Sequence, residues 1–164
     1  MRAKLGVAAA LILSAGGAQA DDPFVEYKAL KPELALAAAQ AAMTHCRDEG
    51  YQVGVAVVDR FGMLQVFLRD QYAGAHVEET ARRKAWTAAS FRTDTLSLAD
   101  LTAPGTIYSA IRDLSAPLAL GGGVPIEHAG ALVGAIGVSG APGPDLDDIC
   151  AREGIAAIEE QMGF

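Results

Sequence analysis

Lys84 is the residue in this sequence with the most chemistry to offer, because Val77, Ala81, Lys84, Ala88 and Phe91 recur at offsets of four, seven, eleven and fourteen, one stripe of a helix. An ammonium on such a stripe either snorkels to water along its methylene stem or faces an anion in a cleft. Arg69, at the end of a predicted strand, is a second cation for the same anion or else a solvated strand-edge charge. His76 stands just before the helix in Ala73-Gly74-Ala75-His76, where a neutral imidazole can reach a metal ion; the plainer reading is an exposed polar residue at a helix start. His45, near the end of an earlier helix, suits the negative end of the helix dipole and is a second candidate ligand. His128 falls on a predicted hairpin tip.

Gly121-Gly122-Gly123-Val124-Pro125 exposes backbone amides against which a flat cofactor or an anion can lie. It matches neither a phosphate loop nor a dinucleotide fingerprint, so a tight bend between strands is the competing reading. Gly134, Gly137 and Gly140 suit close helix-on-sheet packing. Asp145, Asp147 and Asp148 can hold a cation, but they stand at a predicted helix start, where acids are favoured anyway. The sequence has no HExxH and no nucleophile elbow, so nothing specific points to hydrolysis.

Cys46 and Cys150 are the two cysteines, without the spacing of a zinc site. Their compartment follows from the first twenty residues. Arg2 and Lys4 precede an apolar stretch over 5–13, and Ala18-Gln19-Ala20 resembles a cleavage site, so residues 1–20 read as a secretory signal peptide. That stretch is too short for a membrane span. Its removal would take the 13 Lys+Arg to 11 against 20 Asp+Glu, an acidic surface that repels phosphate backbones and argues against nucleic-acid partners. The expected location is periplasmic or secreted, where an even cysteine count favours a Cys46–Cys150 disulfide.

The elements that must position these residues follow from periodicity. Residues 21–31 show no clear period and read as a tether, and 32–164 as one domain. Pro32 opens a helix that Gly50 ends, with Ala35, Ala39, Ala42 and Cys46 on its buried stripe. Residues 52–59 and 63–69 read as strands joined at Asp59-Arg60-Phe61-Gly62. A second helix covers about 77–90, and 97–101 has the pattern of a short helical turn. Residues 118–120, 124–127 and 131–139 read as three more strands, and Asp145 is placed to cap a last helix ending near Met162. The order α-ββ-α-βββ-α predicts an α+β fold: a five-stranded antiparallel sheet covered by helices, with the two terminal helices on one face.

Taken in order, Val55-Ala56-Val57-Val58-Asp59-Arg60-Phe61-Gly62, Arg69, Ala81-Arg82-Arg83-Lys84-Ala85-Trp86-Thr87-Ala88, Pro104-Gly105 with Tyr108, Gly121-Gly122-Gly123-Val124-Pro125-Ile126 and the 133–140 segment resemble the HbpS/GlcG haem-binding and haem-degrading family. The resemblance extends to the C-terminal domain of PduO-type proteins and spans about residues 33–160. It implies a compact α+β domain, oligomers built from dimers, and haem or iron binding in some members. Matched position by position, it implies a cleft bordered by Arg69, Lys84, Thr87, Gly122 and Gly123, with Lys84 and Arg69 accepting the haem carboxylates. His76 is the first candidate for the iron and His45 the second. Where the family runs Arg-x-Asp-Gly-Ala, this chain has Arg69-Asp70-Gln71-Tyr72-Ala73-Gly74-Ala75. The leading expectation is an exported haem-binding or haem-handling homo-oligomer, a binding module in preference to a catalyst. The alternatives are an enzyme or accessory subunit for a small carboxylate or alcohol-derived metabolite, and a structural oligomer.

Overall fold

The computed structural model describes residues 23–163; the expected signal peptide lies outside them. Helix α1 (Pro32–Asp48) starts on Pro32 and buries Ala35, Ala38, Ala39, Ala42, Met43 and Cys46, side chains small enough to bring its axis close to its neighbours. Strands β1 (Gly54–Asp59) and β2 (Leu64–Arg69) form a hairpin. Asp59 Oδ1 closes it by accepting the N–H groups of Phe61 and Met63, at 2.8 and 2.9 Å. Helix α2 (Val77–Phe91) follows, then α3 (Thr95–Leu101), whose cap is Asp94 accepting the Ser97 N–H at 2.7 Å. A 3₁₀ turn over Ser109–Asp113 leads to β3 (Gly123–His128) and β4 (Ala131–Ser139). They are joined by Ala129 and Gly130, both with positive φ as a two-residue hairpin turn requires. The last helix is α4 (Pro144–Met162). Gly143, not Asp145, occupies its cap position, and Asp145 lies inside the first turn.

The sheet has four strands in the order β2-β1-β4-β3, every pair antiparallel. Pro125, which has no N–H to donate, is tolerated because β3 is an edge. The fifth strand expected over 118–120 does not form. The Leu118 N–H donates to Thr87 Oγ1 at 2.9 Å, and the Arg83 guanidinium takes the carbonyls of Ser115, Ala116 and Pro117. Side chains of α2 thus satisfy the backbone that a strand neighbour would otherwise pair.

Alternation along β1 assigns the two faces. Val55 and Val57 meet α1 and α4, while Ala56 and Val58 meet α2. On β4 the alternation slips at Val133, where the register with β3 shifts and a bulged residue turns to the α1/α4 side. Gly137 lies under α2, and a Cβ there would overlap the Ala81 carbonyl. The terminal helices pack side by side as expected, joined by the Cys46–Cys150 disulfide with Cα atoms 5.6 Å apart. Among the described residues no helix is long and apolar enough to cross a membrane.

Candidate functional site

An open cleft of about 520 Å³ lies where the first turn of α2, the 140–143 loop, the first turn of α4 and residues 50–52 converge. Its outer walls are Tyr72, Leu120, Pro142 and Pro144, with exposed His76 at the rim. The His76 carbonyl accepts the Thr80 N–H at 3.0 Å, which fixes the His76 backbone at the start of α2.

Lys84 reaches the cleft floor from one turn further along α2. It is fully buried, and its Nζ donates to Asp147 Oδ2 at 2.7 Å and to the Val138 carbonyl at 2.9 Å. Asp147 Oδ1 accepts the Ala141 N–H at 2.9 Å. Burial pushes the Lys84 ammonium below the ordinary lysine value, against the opposing pull of Asp147. Burial likewise raises the Asp147 carboxyl, and Lys84 and the amides of Ala141 and Gly140 oppose that shift. The ammonium is therefore matched by a carboxylate within the protein and does not snorkel to water.

Gly122 and Gly123 come to the same place and are buried. At Gly122 (φ 111°) a Cβ would stand 2.6 Å from the Val138 carbonyl and 2.7 Å from the Asp147 Cβ; at Gly123 it would overlap the Lys84 carbonyl. Thr87 is buried, donating to the Arg83 carbonyl at 2.7 Å and holding Leu118. The two glycines lie against the ion pair and the backbone of α2, while Thr87 ties α2 to the segment before β3. Arg69 stands apart: it donates to the Ala73 carbonyl and borders a separate depression with Arg47, Gln52 and Asp70. Asp70 there is buried, paired with Arg47 and accepting the Val53 N–H at 3.3 Å. His45 sits half-buried in the last turn of α1, away from the cleft lining, and His128 borders a second cleft with Tyr27, Leu30 and Met162. Among the described residues no group of three His, Cys, Asp or Glu is arranged to hold a metal ion.

Sequence reasoning treated Asp147 as one acid among three at a helix start, and it did not single out Gln52, Thr80 or Ser139. The floor needs all four. Thr80 Oγ1 and Ser139 Oγ are 2.7 Å apart, and Gln52 borders the cleft with its Oε1 buried. The available signal was the apolar stripe carrying Lys84, which requires an acid partner from another element once it is buried.

This helix-flanked antiparallel sheet, with a glycine-lined ion pair under an open cleft, has known relatives in sequence and fold. The sequence profile of the family described as "Haem degrading protein HbpS-like" matches residues 30–156, and the chain belongs to that family. The crystal structure of a Streptomyces reticuli HbpS double mutant is 39% identical with a TM-score of 0.78, covering 93% of this chain and 99% of that one. The crystal structure of a PduOC:heme complex is 30% identical with a TM-score of 0.74, covering 79% of this chain and 95% of that one. The corrinoid adenosyltransferase PduO of Salmonella typhimurium is 34% identical over 121 residues, 73% of this chain. The chain spans 36% of that enzyme's length.

Proposed function

We propose that this protein binds haem, as an exported binding module. The observation that carries the reading is the exposed imidazole of His76 on the rim of an open cleft, in a domain whose family is haem-degrading and whose relative was solved with haem. The lining fits an apolar macrocycle at the mouth, where Tyr72, Leu120 and the two prolines supply carbon surface and His76 a nitrogen donor. The floor adds no surplus positive charge for the carboxylates, since Asp147 matches Lys84. Bound haem supplies the redox and oxygen chemistry of its iron. The chain's part is to present the imidazole, wall one face from water and hold the rim to α2 through Thr80. Export is supported by the leader-like residues 1–20 and by the disulfide.

Titration of the purified protein with haemin, followed by the Soret band, tests this. A saturable band that moves in His76→Ala and not in His45→Ala supports the reading. Absence of a saturable band in the wild-type protein overturns it, and a band unchanged in His76→Ala removes His76 as the iron donor.

A further inference from the structure

Beneath the rim, the cleft floor is chemically unlike a haem wall. Lys84 has three N–H donors, of which two are used by Asp147 and the Val138 carbonyl. Asp147 accepts one hydrogen bond on each oxygen, and a carboxylate has room for more. Thr80 Oγ1 has one proton but two partners within reach, the His76 carbonyl at 3.0 Å and Ser139 Oγ at 2.7 Å. Whichever it chooses, Ser139 is left either a spare proton or a spare lone pair for a third group. Gln52 stands between this cleft and the depression bordered by Arg47 and Asp70, and its buried Oε1 has no hydrogen-bond partner among the described residues. A buried acceptor without a donor in the protein is uncommon.

We infer that the floor of this cleft is a binding site for a small neutral polyhydroxylated molecule, a sugar or polyol, held by Gln52, Thr80, Ser139, Lys84 and Asp147 with Tyr51 alongside. The charge balance selects the class. Lys84 and Asp147 neutralise each other, so an anion would meet the Asp147 carboxylate and the Gln52 carbonyl oxygen, and a cation would meet the ammonium. The other charges nearby do not alter this: Asp148 is paired with Arg152 at 2.6 Å, Asp70 with Arg47, and His76 sits at the rim. A hydroxyl group is both donor and acceptor, which is what a floor of mixed donors and acceptors without net charge accommodates. Tyr51, half-buried at the cleft edge, offers ring surface to the C–H face of such a ligand. This site is separate in chemistry from the proposed haem contact at the rim and does not rest on it.

The test is an NMR titration of the haem-free, ¹⁵N-labelled protein with D-ribose and with erythritol, using lactate and ethanolamine as the charged comparators. The expected result is saturable movement of the Gln52 side-chain amide and the Ser139 backbone amide with at least one of the two polyols, and binding of both charged probes at least about tenfold weaker. Gln52→Leu and Thr80→Val should each weaken polyol binding by about tenfold or more, the effect of one hydrogen bond left unmade in a buried site. An unchanged circular dichroism spectrum and urea midpoint would show that the variants are folded. No saturable movement with either polyol, lactate binding as tightly as ribose, or a folded Gln52→Leu protein that binds the polyol as wild type does would each overturn the inference. Polyol binding by a protein that gives no Soret band would uphold this site while removing the haem reading.

Discussion

The Lys84 ammonium and the Asp147 carboxylate, 63 residues apart in sequence, meet at 2.7 Å with side-chain exposures of 0% and 6%. The pair fastens the start of α4 to the middle of α2 across the edge of the sheet. Taking two charges out of water costs several kcal/mol each, and only close geometry with additional hydrogen bonds offsets it. Here the Val138 carbonyl and the Ala141 N–H provide those bonds.

Breaking one side of the pair leaves the other charge buried. Asp147→Asn is expected to destabilise the fold by about 3 to 5 kcal/mol, read as a lower urea midpoint. Lys84→Met with Asp147→Leu, which removes both charges and retains apolar volume, should recover most of that loss. A double variant no more stable than Asp147→Asn would show that the pair is not what holds the two helices.

The same burial sets a pH dependence. The native Lys84 value lies below the ordinary 10.5, so between the two the unfolded chain holds more protons and stability rises with pH. The native Asp147 value lies above the ordinary 3.8, so its contribution is present below 3.8 and is lost as pH rises through the native value. Subtracting the urea midpoints of the doubly substituted protein from those of wild type across pH should show a fall on the acid side and a rise on the alkaline side. A flat difference curve would refute both signs.

The Cys46–Cys150 bond closes a separation of 104 residues. In the chain-entropy description a loop of that size contributes up to about 4.7 kcal/mol by restricting the unfolded state. Cys46→Ala with Cys150→Ala should therefore lower Tm markedly, and dithiothreitol should lower the wild-type Tm towards the same value. If reduction leaves Tm unchanged, the bridge contributes no stability.

Gly123, a candidate for ligand approach, lies against the backbone of α2. A methyl group there collides with the backbone of α2, so Gly123→Ala should cost on the order of 1 to 3 kcal/mol or more. Haemin affinity, measured where the variant is still folded, should stay at the wild-type value. A stable Gly123→Ala protein with weakened haem binding would return this glycine to the ligand.

Self-association through the β2 edge is expected from the exposed apolar residues around it. Phe61 is 65% exposed, Met63 67% and Leu64 47%, and the Tyr27 ring stands edge-on to Phe61 at 5.5 Å. Light scattering should report at least a dimer, and Phe61→Asp with Leu64→Glu should shift it towards monomer. A wild-type monomer at micromolar concentration would exclude this.

The sequence by itself determined the helices, four of the strands and the disulfide. Each is written in local terms: Pro32 at a helix start, alternation through Val55–Val58, Asp59 and Gly62 in a turn, and two cysteines on the apolar stripes of α1 and α4. It also marked Lys84 as anomalous, since a charge on an apolar stripe shows in the period alone. What became of that charge was a tertiary matter. Its counter-ion comes from α4 and its second acceptor from β4, and no local pattern ties Lys84 to Asp147 or Val138. The absent fifth strand has the same cause. Residues 118–120 are apolar enough to pair, yet Arg83 and Thr87 on α2 hold the adjoining backbone first. The cleft likewise arises where segments distant in sequence converge, residues 50–52, the start of α2 and the run from Gly140 into α4. Its Thr80–Ser139 contact exists because of that convergence, and hydrophobic periodicity carries no trace of it.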